Sequence, residues 1–211
     1  MSHSLHRRGS ACSLKDDFVI LVTPAVGINH EGSGSKLWKV LDIVTEVGPN
    51  NIGSYETGTI YSGVTIEEIR NSMPETPRVR CCFDSKDKMF EVLRQIKALD
   101  LGLSITVSGL NEEILDMCGQ LDIHPHSVNY SLGIHGATEK LPPQELLEII
   151  TMCGHGMISR DLVAKAVKEV QSGRKTPHEA AVMVAQPCVC GIFNVTRAEK
   201  LLKKYLPKKE A

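Results

Sequence analysis

Apolar residues follow two different rhythms along this chain. Near the start, Phe18-Val19-Ile20-Leu21-Val22 is unbroken and rich in β-branched residues, which predicts a buried strand over 17–23. After a loop with glycines at 27, 32 and 34, the spacing changes. Leu37, Val40, Leu41, Val44 and Val47 share one helical face, predicting a helix over 36–47 that Gly48-Pro49 stops. Residues 50–64 are punctuated by glycine, with a short strand at 57–61. Thr65-Ile66-Glu67-Glu68 reads as a capping box opening a short helix that ends near Met73-Pro74.

The alternation then repeats. A strand is predicted over 78–83, then a helix capped by Asp84 or Ser85 and running to Leu99, with Met89, Phe90, Leu93, Ile96 and Leu99 on one face and Gly102 as its stop. Residues 103–107 alternate as a strand, 111–121 read as a helix, and 127–134 as a further strand of the same sheet. This order fits a repeated split β-α-β unit, the ferredoxin-like arrangement, over residues 1–138. From 141 onward only helical spacing remains: 143–152 after Pro143, 159–171 capped by Ser159, 176–185 opened by Thr176-Pro177, and 194–205. The expected architecture is therefore α+β, a ferredoxin-like sheet domain followed by a small all-helical lobe over 139–211.

Composition narrows the function classes. The chain has 211 residues, 42% apolar and 23% charged, with a formal net charge of -1, so no global basic field recruits nucleic acid or anionic lipid. Aromatics are 4%, too few for a base-stacking platform. The basic stretch 200–209 reads as the solvated end of a helix. His6-Arg7-Arg8 is not followed by the apolar core of a secretory signal, and no apolar run approaches the roughly 20 residues that cross a bilayer. A cytoplasmic protein with no membrane partner is expected. Its seven cysteines then start as reduced thiols.

Those cysteines carry the sharpest chemical signal. Cys153 lies in Cys153-Gly154-His155-Gly156, and Cys188 and Cys190 lie in Gln186-Pro187-Cys188-Val189-Cys190-Gly191, each group at a break between helices. One residue between the last two sulfurs departs from the two to four of a zinc ribbon, whereas iron–sulfur clusters accept varied spacing. Cys153, Cys188 and Cys190 are read as metal ligands, for a 4Fe-4S iron–sulfur cluster with one open iron or, less favoured, for zinc. His155 or Cys118 is the candidate fourth ligand. The competing reading is three thiols packed as small hydrophobes.

Other candidates are weaker. His135, at the end of the strand predicted over 127–134, and His155 are candidate proton-transfer residues; His124 and His126 sit in an exposed His-Pro-His turn. Ser33, Gly34, Ser35 and Lys36 form a loop ahead of a helix that suits a small anion, although it matches neither standard phosphate motif. The segment 3–10 holds Arg7 and Arg8, which would grip a carboxylate or phosphate if the arm folded back and would otherwise be a loose tail. Cys81 and Cys82, adjacent in a strand, face opposite sides and read as packing.

The leading expectation is a cytoplasmic iron–sulfur enzyme, a lyase, reductase or sulfur-handling protein, that acts on a small anionic substrate and forms a homo-oligomer. The alternatives are a metal-free thiol enzyme, with Cys188 or Cys190 better placed than Cys153 at a helix C-terminus, or an oligomeric binding and assembly module.

Overall fold

The apolar run at 18–22 becomes the inner part of a sheet covered on both faces. The structure is a computed structural model that describes residues 4–73 and 77–207. In chain order its elements are α1 (Ala11–Leu14), β1 (Phe18–Thr23), α2 (Gly34–Val47), β2 (Asn51–Ser54), β3 (Gly58–Thr59), α3 (Ile66–Ser72), β4 (Val79–Phe83), α4 (Lys86–Leu99), β5 (Ser104–Ser108) and α5 (Asn111–Gln120). The helices α6 (Gln144–Ile150), α7 (Arg160–Gln171), α8 (Pro177–Ala185) and α9 (Val195–Leu202) follow.

The five strands are ordered β3-β2-β4-β1-β5, and every neighbouring pair is antiparallel. β4 lies between β1 and β2, and β1 lies between β4 and β5, so α2 and α4 each connect two strands across an intervening one. The protein is thus mixed α+β, an antiparallel sheet domain with helices at its C-terminus.

Period-two alternation assigns the faces. Phe18, Ile20 and Val22 of β1 and Val79, Cys81 and Phe83 of β4 pack with Leu37, Val44, Met89 and Val92 of α2 and α4. Val19 and Cys82 point the other way and join a second core built from Ile149, Val163, Val184, Phe193 and Leu202 of the C-terminal helices. The helical lobe is therefore the second cover of the sheet. That cover explains why the inner strands read as continuous apolar runs rather than alternating ones. The two adjacent cysteines fall into different cores, as strand geometry requires.

Local helix signals hold closely. Thr65 and Thr176 form capping boxes, and Ser85, Ser159 and Asn194 each accept a backbone N–H of their own helix. Gly48 ends α2 at φ 82°. Asp100, at φ 42°, ends α4 ahead of Gly102. The strand read at 57–61 is reduced to the two residues of β3. Pro74 and residues 208–209 lie outside the described residues. No helix among the described residues is long and apolar enough to cross a membrane.

Two segments depart from expectation. Residues 127–134 form no strand; the stretch runs exposed between α5 and a 3-10 turn at Thr138–Lys140. Gly133, at φ 92°, breaks the extended backbone there, and no strand pairs with the segment. The N-terminal segment folds back onto the lobe. His3 lies outside the described residues, but Ser4 Oγ sits 2.7 Å from Ser108 Oγ and Arg8 N–H donates to Thr151 Oγ1 at 2.9 Å. The side chains of Arg7, Asp17 and Arg197 are almost completely buried in one ionic group.

Candidate functional site

The cysteine loops are carried by two breaks in the lobe. The first follows α6, where the chain turns through 151–157. The second lies between α8 and α9 and rests on the sheet. Gly191 adopts φ 75°, and a Cβ there would fall 2.2 Å from Gly53 N and 2.3 Å from Ile52 C. Only glycine lets the loop touch the backbone of β2 at this point. Gly191→Ala is accordingly expected to destabilise the fold by about 2–3 kcal/mol, combining left-handed strain with overpacking, and to lower the urea midpoint without changing the slope.

The two loops converge. Cys188 and Cys190 sulfurs lie 3.9 Å apart, and Cys190 Sγ is 3.6 Å from His155 Nδ1. Cys153, Cys188 and Cys190 are all buried, while His155 reaches the surface. Tyr55 Oη bonds the His155 ring, and the two rings meet edge-on with centroids 5.3 Å apart. From β4, the Arg80 guanidinium stacks over Tyr55, its Cζ 4.1 Å from the ring centroid. Arg80 is only 4% exposed, yet its Nε and Nη2 have no hydrogen-bond partner among the described residues. Those two nitrogens form one edge of the guanidinium, the edge that grips an oxyanion with two parallel bonds.

Hydrogen bonding among the three sulfurs lowers the Cys153 and Cys190 thiols and raises that of Cys188. Backbone N–H groups of Met157 and His155 also favour the Cys153 thiolate, and His155 and Arg80 favour that of Cys190, against the opposing effect of burial. A single S–H satisfies one neighbour at a time, so the trio holds one thiolate readily and a second at greater cost. The hydrogen bonds from Cys188 and from the backbone thus lower the Cys153 thiol, the opposite direction from that expected of a helix C-terminus alone. Burial raises Cys81, Cys82 and Cys118.

Arg7 ties the loops together, a role the sequence did not disclose. Its guanidinium donates to Met152 O at 3.2 Å, next to Cys153, and to Ile192 O, two residues past Cys190. It also pairs with Asp17, whose other oxygen accepts from Arg197 Nη1 at 2.9 Å. Burial pulls the Arg7 guanidinium down, but Asp17 and the nearby thiols outweigh it and the net shift is upward. Burial dominates at Arg197, which is lowered. One carboxylate does not balance two guanidiniums equally, and Arg197 is the less compensated of the two.

The other candidates lie apart from this cluster. His135 is exposed, with Nε2 3.0 Å from Leu132 O in its own loop. Ser33 and Gly34 stand at the start of α2 and Ser33 Oγ is buried without a partner among the described residues, while Ser35 Oγ donates to Gly32 O and Lys36 Nζ to Leu101 O. Cys118 faces the β5 side of the sheet domain and not the lobe thiols. Among the described residues, no group of three or more His, Cys, Asp or Glu side chains is spaced to hold a metal ion as it stands. No protein-family model, curated protein or solved structure matches the chain.

Proposed function

We propose that the protein is a cytoplasmic metalloprotein whose centre is held by Cys153, Cys188 and Cys190 with His155, acting on a small anionic substrate. The observation that carries this reading is the pair of contacts at Cys190. A tetrahedral ion with metal–sulfur bonds of about 2.3 Å and metal–nitrogen bonds of about 2.0 Å sets its sulfurs about 3.8 Å apart and its sulfur–nitrogen edge at about 3.5 Å. The Cys188–Cys190 and Cys190–His155 separations of 3.9 and 3.6 Å match those two edges. Rotation of Cys153 toward Cys188, already its hydrogen-bond partner, completes the set. These short edges favour one shared ion, zinc or iron, over an iron–sulfur cluster, whose own body would hold its ligand sulfurs further apart.

The open edge of Arg80 supports the anionic substrate. A carboxylate or similar oxyanion gripped there would lie beside the Cys190 sulfur, close enough for an ion to polarise it as a Lewis acid. Tyr55, 42% exposed and stacked against the guanidinium, serves as the gate. Free thiols throughout suit a reducing compartment. The two split β-α-β connections support a ferredoxin-like reading of the sheet.

Metal and acid-labile sulfide analysis of protein purified without oxygen tests the proposal. We expect one ion per chain and no sulfide, with the ion absent from a Cys188→Ser/Cys190→Ser variant. Stoichiometric iron and sulfide would replace the single ion by a cluster on the same ligands. Wild-type protein that arrives metal-free and takes up neither zinc nor iron on titration would leave the metal-free thiol chemistry of Cys153 and Cys190.

A further inference from the structure

The segment 127–134 has the pattern of a strand and no sheet to join. Val128, Tyr130, Leu132 and Ile134 alternate with Asn129, Ser131 and Gly133, and the four apolar side chains are 51, 66, 92 and 43% exposed. No backbone hydrogen bond among the described residues ties 124–135 to another part of the chain. Four large apolar side chains presented in period two, with their backbone unpaired, are an unusual surface for a single soluble chain.

An edge of the right kind lies on the same side of the molecule. β5 ends the sheet, so among the described residues one row of its N–H and C=O groups has no strand beside it. Ile105 on that strand is 41% exposed, and Val26 and Ile28, in a loop fastened to the start of β5 by the Asn29–Gly102 hydrogen bond, are each 85% exposed. A cleft of about 720 Å³ is lined by β5 and by residues 123–131, among others. The chain thus holds an open edge and an unpaired strand-like segment on one cleft.

We infer that two copies of this chain associate by exchange, each adding residues 127–134 as a strand on the β5 edge of the other. The connectivity favours a second copy over the chain's own segment. Within one chain, β5, α5 and 127–134 form a crossover that delivers the segment parallel to β5, in a sheet whose pairs are otherwise all antiparallel. A segment from a second copy is free to enter antiparallel. Because edge and segment flank one cleft, a two-fold axis through it satisfies both junctions at once and leaves no edge open for a third copy. This inference is independent of the thiol centre, which lies in the lobe.

Sedimentation equilibrium of the full chain, with hydrogen exchange at several concentrations, tests it. The wild type is expected as a dimer. Amide protection at 104–107 and 127–134 should rise with concentration. Leu132→Glu on the segment and Ile105→Lys on the edge alter exposed side chains, so the monomer keeps its fold, and each should weaken the dimer about 100-fold. A mixture of the two variants should associate more tightly than either alone, because one of its two junctions carries no substitution. A monomer up to the solubility limit would overturn the inference. So would a dimer indifferent to both substitutions, or protection of 127–134 that does not vary with concentration, which would place the segment on its own β5.

Discussion

Asp17→Ala is expected to cost about 3–5 kcal/mol of unfolding free energy, enough to leave a domain of this size barely folded. The Asp17 side chain is fully buried and accepts from Arg7, Arg197 and Asn194. Its removal strands two guanidiniums away from water, and neither can discharge by losing a proton. Their remaining partners are backbone carbonyls and Ser13, which satisfy hydrogen bonds but not charge. A triple substitution, Arg7→Met/Asp17→Leu/Arg197→Met, should be less destabilising than Asp17→Ala alone, because it removes the charges together with their desolvation. Urea unfolding of the two variants and the wild type checks both statements. A triple variant at least as unstable as Asp17→Ala would show that packing, not uncompensated charge, dominates. Because Arg7 bonds beside Cys153 and Cys190, Arg7→Lys should leave most of the stability but loosen the thiol loops, since one ammonium cannot span the same three acceptors.

The legible parts of the molecule are those written in neighbouring residues. Caps at Thr65, Ser85, Ser159, Thr176 and Asn194 join groups three positions apart, so a short stretch of sequence contains the whole interaction. The run at 18–22 disclosed burial on both faces, and the breaks around 153 and 188 disclosed where the thiols would gather. The ionic group was hidden because its members are far apart: Asp17 and Arg197 are separated by 180 residues. An acid at the head of an apolar strand and the arginines of the segment 3–10 were its local traces. Arg80 and Tyr55 read as an ordinary strand residue and a loop aromatic, and only the docking of the lobe brings them to Cys190. The segment 127–134 shows the opposite limit. Its alternation predicts a strand, but none forms at 127–134, because alternation sets the pattern of side chains and not the edge that would accept them. His135 was misplaced for the same reason, since its expected position depended on that strand ending at the lobe.

Adding metal is expected to raise the stability of the wild-type chain by about 4 kcal/mol when the free ion is a thousandfold above its dissociation constant, and to leave Cys188→Ser/Cys190→Ser unchanged. The magnitude follows from where the ligands sit. Cys153 and His155 belong to the loop after α6, Cys188 and Cys190 to the loop on β2, so an ion shared by all four joins segments that unfolding separates, and binding free energy becomes folding free energy. Serine keeps nearly the shape of cysteine, so the double variant tests ligation rather than packing; Cys118→Ser, on the far side of the sheet, is the control and should respond to metal as the wild type does. Thiols must lose their protons to bind the ion, so the stabilisation should shrink as pH falls and protons compete for sulfur, with proton release detectable in weakly buffered titrations. Thermal unfolding with metal or with a chelator, for all three proteins, provides the measurement. Equal responses in wild type and double variant would place the ion elsewhere, while a loss of response in Cys118→Ser would move the centre to the sheet domain.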